Sequence, residues 1–153
     1  MPFTELVSPQ AIIPALKASS KKQALQDLAS KAAEITGRPE REILDVLTQR
    51  EKLGSTALGA GIAIPHGKLS KLERIHGIFA RLERPIDFEA LDGQPVDLVF
   101  VLLAPESAGA DHLKALSRIA RMLRDQTLAN QLRDARDAAA IHSVLAKETP
   151  PAA

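Results

Sequence analysis

The chain has 153 residues, the size of one domain, with 45% apolar and 25% charged side chains, values typical of a globular protein rather than a disordered one. Twenty basic against nineteen acidic residues give a net charge of +1, and aromatics reach only 3%, which argues against nucleic acid as a partner. Zero cysteines exclude disulfides, thiolate metal sites and cysteine nucleophiles, including a phosphocysteine relay.

In chain order, the first nineteen residues mix short apolar pieces with Pro2, Pro9 and Pro14, and offer one short strand around Ala11 to Ile13. Ser19 and Ser20 then provide N-caps for a helix to about Thr36, with Ala24, Leu25, Leu28, Ala32 and Ile35 at helical spacing and Gly37 as its terminating glycine. Pro39 opens a second helix in its first turn, with Ile43, Leu44 and Leu47 as the buried stripe, ending near Arg50-Glu51-Lys52. That charged cluster reads either as a solvated helix end or as a source of phosphate donors through Arg50.

From Gly54 to Gly67 the character changes to four glycines, one proline and no charge. Inside it, Ile62-Ala63-Ile64 suggests a short strand that ends in Pro65-His66. Two further strands are expected over Ile75 to Leu82 and Val96 to Ala104. The second is a near-continuous apolar run that reads as a central strand covered on both faces. Ser107 or Asp111 is placed to cap a long helix to about Arg124, with Leu113, Leu116, Ile119, Ala120 and Leu123 inward. A last helix spans about Arg136 to Ala146. Helices before, between and after strands imply one α/β layered domain over residues 1–147, with a frayed tail over 148–153.

The glycine-rich segment fails both nucleotide-loop tests. Gly61 and Gly67 enclose five residues and Lys68 is followed by Leu69, so it is no P-loop; Ile64 stands where the dinucleotide fingerprint needs glycine. Of four histidines, His66 stands out. Pro65 stiffens the chain before it and Gly67 leaves room after it, so the imidazole is either an accessible functional group or a strand-end histidine satisfying backbone groups. His112 lies in the first turns of the long helix, one residue off its apolar stripe. It is expected at the boundary between core and solvent, as a cap or beside an anion. His76 and His142 read as ordinary structural histidines. No metal-ligand spacing and no G-x-S-x-G elbow is present, so no metal and no esterase triad is implied.

The nineteen residues from Arg50 to Lys68, with Ile62-Ala63-Ile64-Pro65-His66-Gly67-Lys68 at their end, closely resemble the active-site segment of enzyme IIA domains in the fructose/mannitol family of the bacterial phosphotransferase system. The likeness extends through Ala18 to Leu25, Pro85-Ile86-Asp87-Phe88, Asp92 to Leu98, and Leu103-Ala104-Pro105 leading to His112-Leu113. Length and the N-terminal segment look most like the nitrogen-regulatory branch.

The resemblance implies a mixed β-sheet flanked by helices on both sides and a phosphoryl-carrier, regulatory protein. His66 would accept the phosphoryl group from an HPr-like phosphocarrier, with His112 beside it and Arg50 holding the phosphate. Gly67, Ser55, Thr56 and Gly61 would support the phosphate and its loop, and no cofactor is implied. Signalling would run through regulatory target proteins. The alternatives are a sugar-specific enzyme IIA passing the group to a IIB transport subunit, or a non-catalytic interaction module. One departure bears on the first: mannitol-type domains carry a glutamate where this chain has Ala60. Docking is expected on an apolar, glycine-rich surface with Ala60 and Ile62 near the contact. The longest apolar run, Leu98 to Ala104, is seven residues where a membrane span needs about 20. Glu5 and Pro9 interrupt any leader. A protein of the cytoplasm, not embedded in a membrane, is the expectation.

Overall fold

The structure is a computed structural model, and it describes residues 3–147. The expected frayed tail, 148–153, lies outside the described residues. Helix α1 (Phe3–Leu6) and a 3₁₀ turn (Pro9–Ala11) lead into β1 (Ile12–Leu16), then α2 (Lys21–Thr36) and α3 (Glu40–Lys52). Three short strands follow, β2 (Ala57–Gly59), β3 (Ile62–Ala63) and β4 (His66–Leu69), then the long β5 (His76–Ile86) and β6 (Val96–Pro105). Helices α4 (Ala110–Arg124), α5 (Gln126–Asp134) and α6 (Ala138–Lys147) complete the described chain.

The strands form one mixed six-stranded sheet in the order β1-β5-β6-β3-β2, with β4 also paired to β6. The organising strand is β6, in which Val96 and every residue from Leu98 to Ala104 is fully buried. It runs antiparallel to β5 on one edge, and on the other it takes β3 and then β4 in parallel. A strand apolar at consecutive positions needs cover on both faces. Helices provide it: α2 and α3 pack together over β5 and β4, while α6 lies against β1.

Local chemistry accounts for the element ends. Ser20 accepts a hydrogen bond from the Gln23 N–H at 3.1 Å, and Gly37 sits at φ 75° to close α2, as the serine and glycine imply. Two expected boundaries move. The long helix α4 starts from Gly109, without a side-chain cap from Ser107 or Asp111; Asp111 instead lies inside the first turn, where its charge complements the free N–H groups. Strand β5 continues past Leu82 through Pro85 because its register shifts between Arg81 and Ile86, which spares the ladder the missing proline N–H. The helix α5, capped by Asp125 through the Thr127 N–H at 2.9 Å, was not anticipated from the sequence, nor were β2 and β4.

Candidate functional site

The site forms where β3 hands over to β4 along the edge of β6. Ile62 and Ala63 pair with Leu98 and Val99, the chain skips Ile64-Pro65, and His66 resumes the pairing opposite Leu102. The Pro65 carbonyl still accepts from the Leu102 N–H at 3.0 Å, so the interruption is held firmly. His66 therefore opens a strand rather than closing one, which corrects the expected strand end. Successive strand residues face opposite ways. Gly67 turns toward α3, where a Cβ would come within 2.2 Å of Val46 Cγ1. Its lack of a side chain lets α3 lie against β4.

That packing brings the end of α3 to the histidine. Arg50 Nε donates to His66 Nε2 at 3.2 Å, and Arg50 Nη1 donates to the Gly54 carbonyl at 2.9 Å. His66 Nδ1 lies 2.9 Å from the Ile64 carbonyl, which can only accept. The proton is therefore on Nδ1, and Nε2 presents its lone pair. Burial, foremost, pushes the His66 pKa below its ordinary 6.5; the Ile64 carbonyl opposes this, the Arg50 charge adds to it and Glu51 opposes it. The imidazole is neutral near pH 7 and nucleophilic at Nε2.

His112 stands next to it, ring centroids 5.8 Å apart and edge to face at 64°. Its expected boundary position is not what α4 gives: it is 5% exposed, and its Nδ1 has no hydrogen-bond partner among the described residues. Burial first, then the His66 and Lys68 charges, lowers its pKa too. The apolar stripe read on α4 splits as a consequence. Ile119 and Leu123 enter the core, Leu116 and Ala120 are half-buried, and Leu113 is 66% exposed. The reason is rotation: turning His112 inward carries Leu113, about 100° further round the helix, outward.

An open cavity of about 620 Å³ lies in front of His66, with Arg50, Ser55 and Thr56 on one wall and Leu113, Leu116, Arg121 and Arg124 on the other. Ser55 Oγ donates to the Phe88 carbonyl at 2.6 Å and accepts from the Ala57 N–H at 3.2 Å. Thr56 is buried and bound through its N–H and hydroxyl to Glu51. Glu51 is the residue that sequence reasoning misplaced. Its side chain, only 6% exposed, also pairs with Lys21 at 2.9 Å, and so joins the starts of α2 and β2 to the last turn of α3. Within the Arg50-Glu51-Lys52 cluster, only Lys52 is a solvated end.

Gly61 is not brought to the cavity. Its carbonyl accepts from the Asp97 and Leu98 N–H groups, placing it five residues from His66 along the sheet, about 16 Å at strand rise. At φ 83° it shapes the β2–β3 turn, which Arg133 and Asp92 clamp through the Ala60 carbonyl and N–H at 2.8 and 2.9 Å. Ile62, expected near a docking surface, is 1% exposed and belongs to the core; Ala60 is exposed. Arg121 and Arg124 were missed as site residues. The signal was present in their spacing from Leu113 and Ser117, which puts all four on one face of α4.

Residues 5–148 match the family described as "Phosphoenolpyruvate-dependent sugar phosphotransferase system, EIIA 2". The chain is 72% identical over 152 residues to the "Nitrogen regulatory protein" of Bradyrhizobium diazoefficiens, covering 99% of this chain and 98% of that one. Its fold matches the crystal structure of nitrogen regulatory protein IIA-Ntr from Neisseria meningitidis with a TM-score of 0.89 at 32% identity, over 94% of this chain and 98% of that one. IIA mannitol from Escherichia coli shares the fold with a TM-score of 0.75 at 20% identity, over 90% and 96% of the two chains.

Proposed function

Because the chain belongs to the EIIA type 2 family of the phosphoenolpyruvate-dependent sugar phosphotransferase system, and is most like its nitrogen-regulatory branch, we propose that His66 Nε2 accepts a phosphoryl group from the phosphohistidine of an HPr-like carrier. The observation that carries this reading is the state of His66. Its Nδ1 proton rests on the Ile64 carbonyl, and its Nε2 lone pair faces a guanidinium at the wall of an open cavity.

In the transfer, the P–N bond to the carrier's imidazole breaks, with its electron pair staying on that nitrogen, as the Nε2 lone pair forms the new P–N bond. Each ring keeps the proton on its other nitrogen, so no proton crosses. Positioning and charge stabilisation then carry the catalysis. Arg50 leaves Nε2 for the equatorial oxygens, where its planar donors fit two of them. His112, its ring 5.8 Å from that of His66, would donate to a third. Arg121 and Arg124 keep the cavity positive, and the Ser55 and Thr56 wall is held rigid by its own hydrogen bonds. Regulatory target proteins would then read the added dianion on this face.

The test is incubation with a phosphorylated carrier. Wild-type protein is expected to take up an acid-labile, alkali-stable label that maps to His66, and His66→Ala to take up none. Label on another residue, or undiminished labelling of His66→Ala, overturns the reading.

A further inference from the structure

We infer that Glu51, held in place by Lys21, is the positioning residue of the acceptor site: from this one carboxylate, contacts run to both nitrogens of His66. The inference rests on the reading of His66 as phosphoryl acceptor. One line of contacts runs through the backbone. The Thr56 N–H donates to Glu51 Oε1 at 3.1 Å, and the Thr56 hydroxyl donates to Oε2. The Thr56 carbonyl accepts from the Ile64 N–H at 3.1 Å, and the Ile64 carbonyl lies 2.9 Å from His66 Nδ1, whose proton it holds. The other line is the last turn of α3. Arg50, the residue before Glu51, reaches His66 Nε2 at 3.2 Å and ties down the Gly54 carbonyl at 2.9 Å.

Lys21 gives the carboxylate a single position. Its Nζ lies 2.9 Å from Glu51 Oε1, 3.6 Å from Glu89 Oε1 and 4.9 Å from the centre of the Phe88 ring. The Phe88 carbonyl in turn accepts from Ser55 Oγ, so the contacts close a ring around the segment from Gly54 to Thr56. An ion pair this little exposed, 15% for Lys21 and 6% for Glu51, gains little over apolar side chains of the same size, because both charges leave water. Its use is directional. A carboxylate with a fixed cation accepts at set positions, and the groups bonded to it inherit that order. The electrostatics agree with the path: burial is the main cause lowering the His66 pKa, and the Glu51 charge is felt there as an opposing one. The other charged or titratable groups at the ring are Arg50 and His112, with Lys68 acting on His112.

Two variants separate positioning from folding. Lys21→Met/Glu51→Leu removes the pair at similar volume and is expected to melt near the wild-type temperature. It is expected to lose about tenfold or more in labelling rate at saturating phosphorylated carrier, with KM unchanged because the outer surface is intact. The ring-nitrogen NMR shifts of its unphosphorylated His66 are expected to report a mixture of neutral tautomers, where wild type shows the Nδ1–H form. Glu51→Gln keeps an acceptor and a donor for Thr56 and removes only the charge. It is expected to keep the wild-type tautomer and labelling rate, and to lower the His66 pKa further in a titration of the ring protons, because an opposing cause is gone. A double variant that labels at the wild-type rate with the wild-type tautomer overturns the inference. One that no longer folds overturns it equally, since the pair would then serve the fold. An unshifted His66 pKa in Glu51→Gln overturns it too. The tautomer and pKa readouts need no phosphoryl donor, so absence of label on wild-type His66 is the separate failure of the acceptor reading.

Discussion

At the scale of single residues, one hydrogen bond sets which nitrogen of His66 carries the proton. The Ile64 carbonyl fixes the proton on Nδ1, and Arg50 marks the opposite nitrogen. Burial, then the Arg50 charge, holds the imidazole pKa below 6.5, so Nε2 keeps its lone pair in mildly acidic solution where a free histidine would be protonated. The sign follows directly. In the proposed role a protonated His66 cannot attack, so labelling is expected to be lost only as pH falls through the lowered folded-state value. The unfolded chain binds more protons below pH 6.5, so this residue costs stability as pH falls through that window. Arg50→Gln removes one of the lowering causes. Its His66 pKa is expected to rise, measured by NMR titration of the ring protons, and the acid limb of its labelling profile to move to higher pH. Its rate at neutral pH is expected to fall by about 10²-fold, since the proposed donor to the transferring group is lost. A profile that does not move would detach Arg50 from His66.

At the scale of elements, the site depends on how closely α3 approaches β4. Gly67 permits that approach, because a methyl group there would collide with Val46. Gly67→Ala is expected to cost about 1–3 kcal/mol in chemical denaturation and to slow labelling by displacing the turn that carries Arg50. Val46→Ala in the same chain is expected to recover much of both, because the two positions are in direct contact. Independent effects of the two changes would contradict this coupling.

The same elements show what a sequence can and cannot disclose. Ser20, Gly37 and the unbroken apolar run of β6 act through local chemistry, and they were legible. His66-Gly67-Lys68-Leu69 has no strand pattern of its own; it becomes a strand only because β6 offers it a parallel partner. Helix α5 buries just Leu128, Ala129 and Leu132 over nine residues, too short a stripe to stand out. Of the site, the Arg50–Lys68 segment pointed to His66, Arg50 and the resemblance. It left out Arg121, Arg124 and the buried Lys21–Glu51–Thr56 chain, which exist only once three helices and a strand meet.

At the scale of the whole molecule, the cavity occupies one edge of the sheet while the other edge is held by different means. Arg81, on the β5 face opposite Ile78 and Ala80, inserts its guanidinium among backbone carbonyls. It donates to Pro14 at 2.9 Å and to Leu132, Arg133 and Ala135 at 3.0, 3.1 and 2.5 Å. One side chain thus ties β1 to β5 and closes the C-terminal end of α5, whose last carbonyls have no helical partner. None of its partners lines the cavity. Arg81→Met keeps the length and much of the packing but leaves four carbonyls without this donor, which is expected to cost about 2–4 kcal/mol. For a chain of this size that lowers Tm by about 4–16 °C. Labelling of His66 at 25 °C is expected to stay within about twofold of wild type, because β6 and β4 keep the register that sets Nε2 against Arg50. A calorimetric scan beside a labelling time course checks both halves. If Arg81→Met labels slowly while still folded, the two edges of the sheet are coupled, and the geometry at His66 depends on more than its own edge.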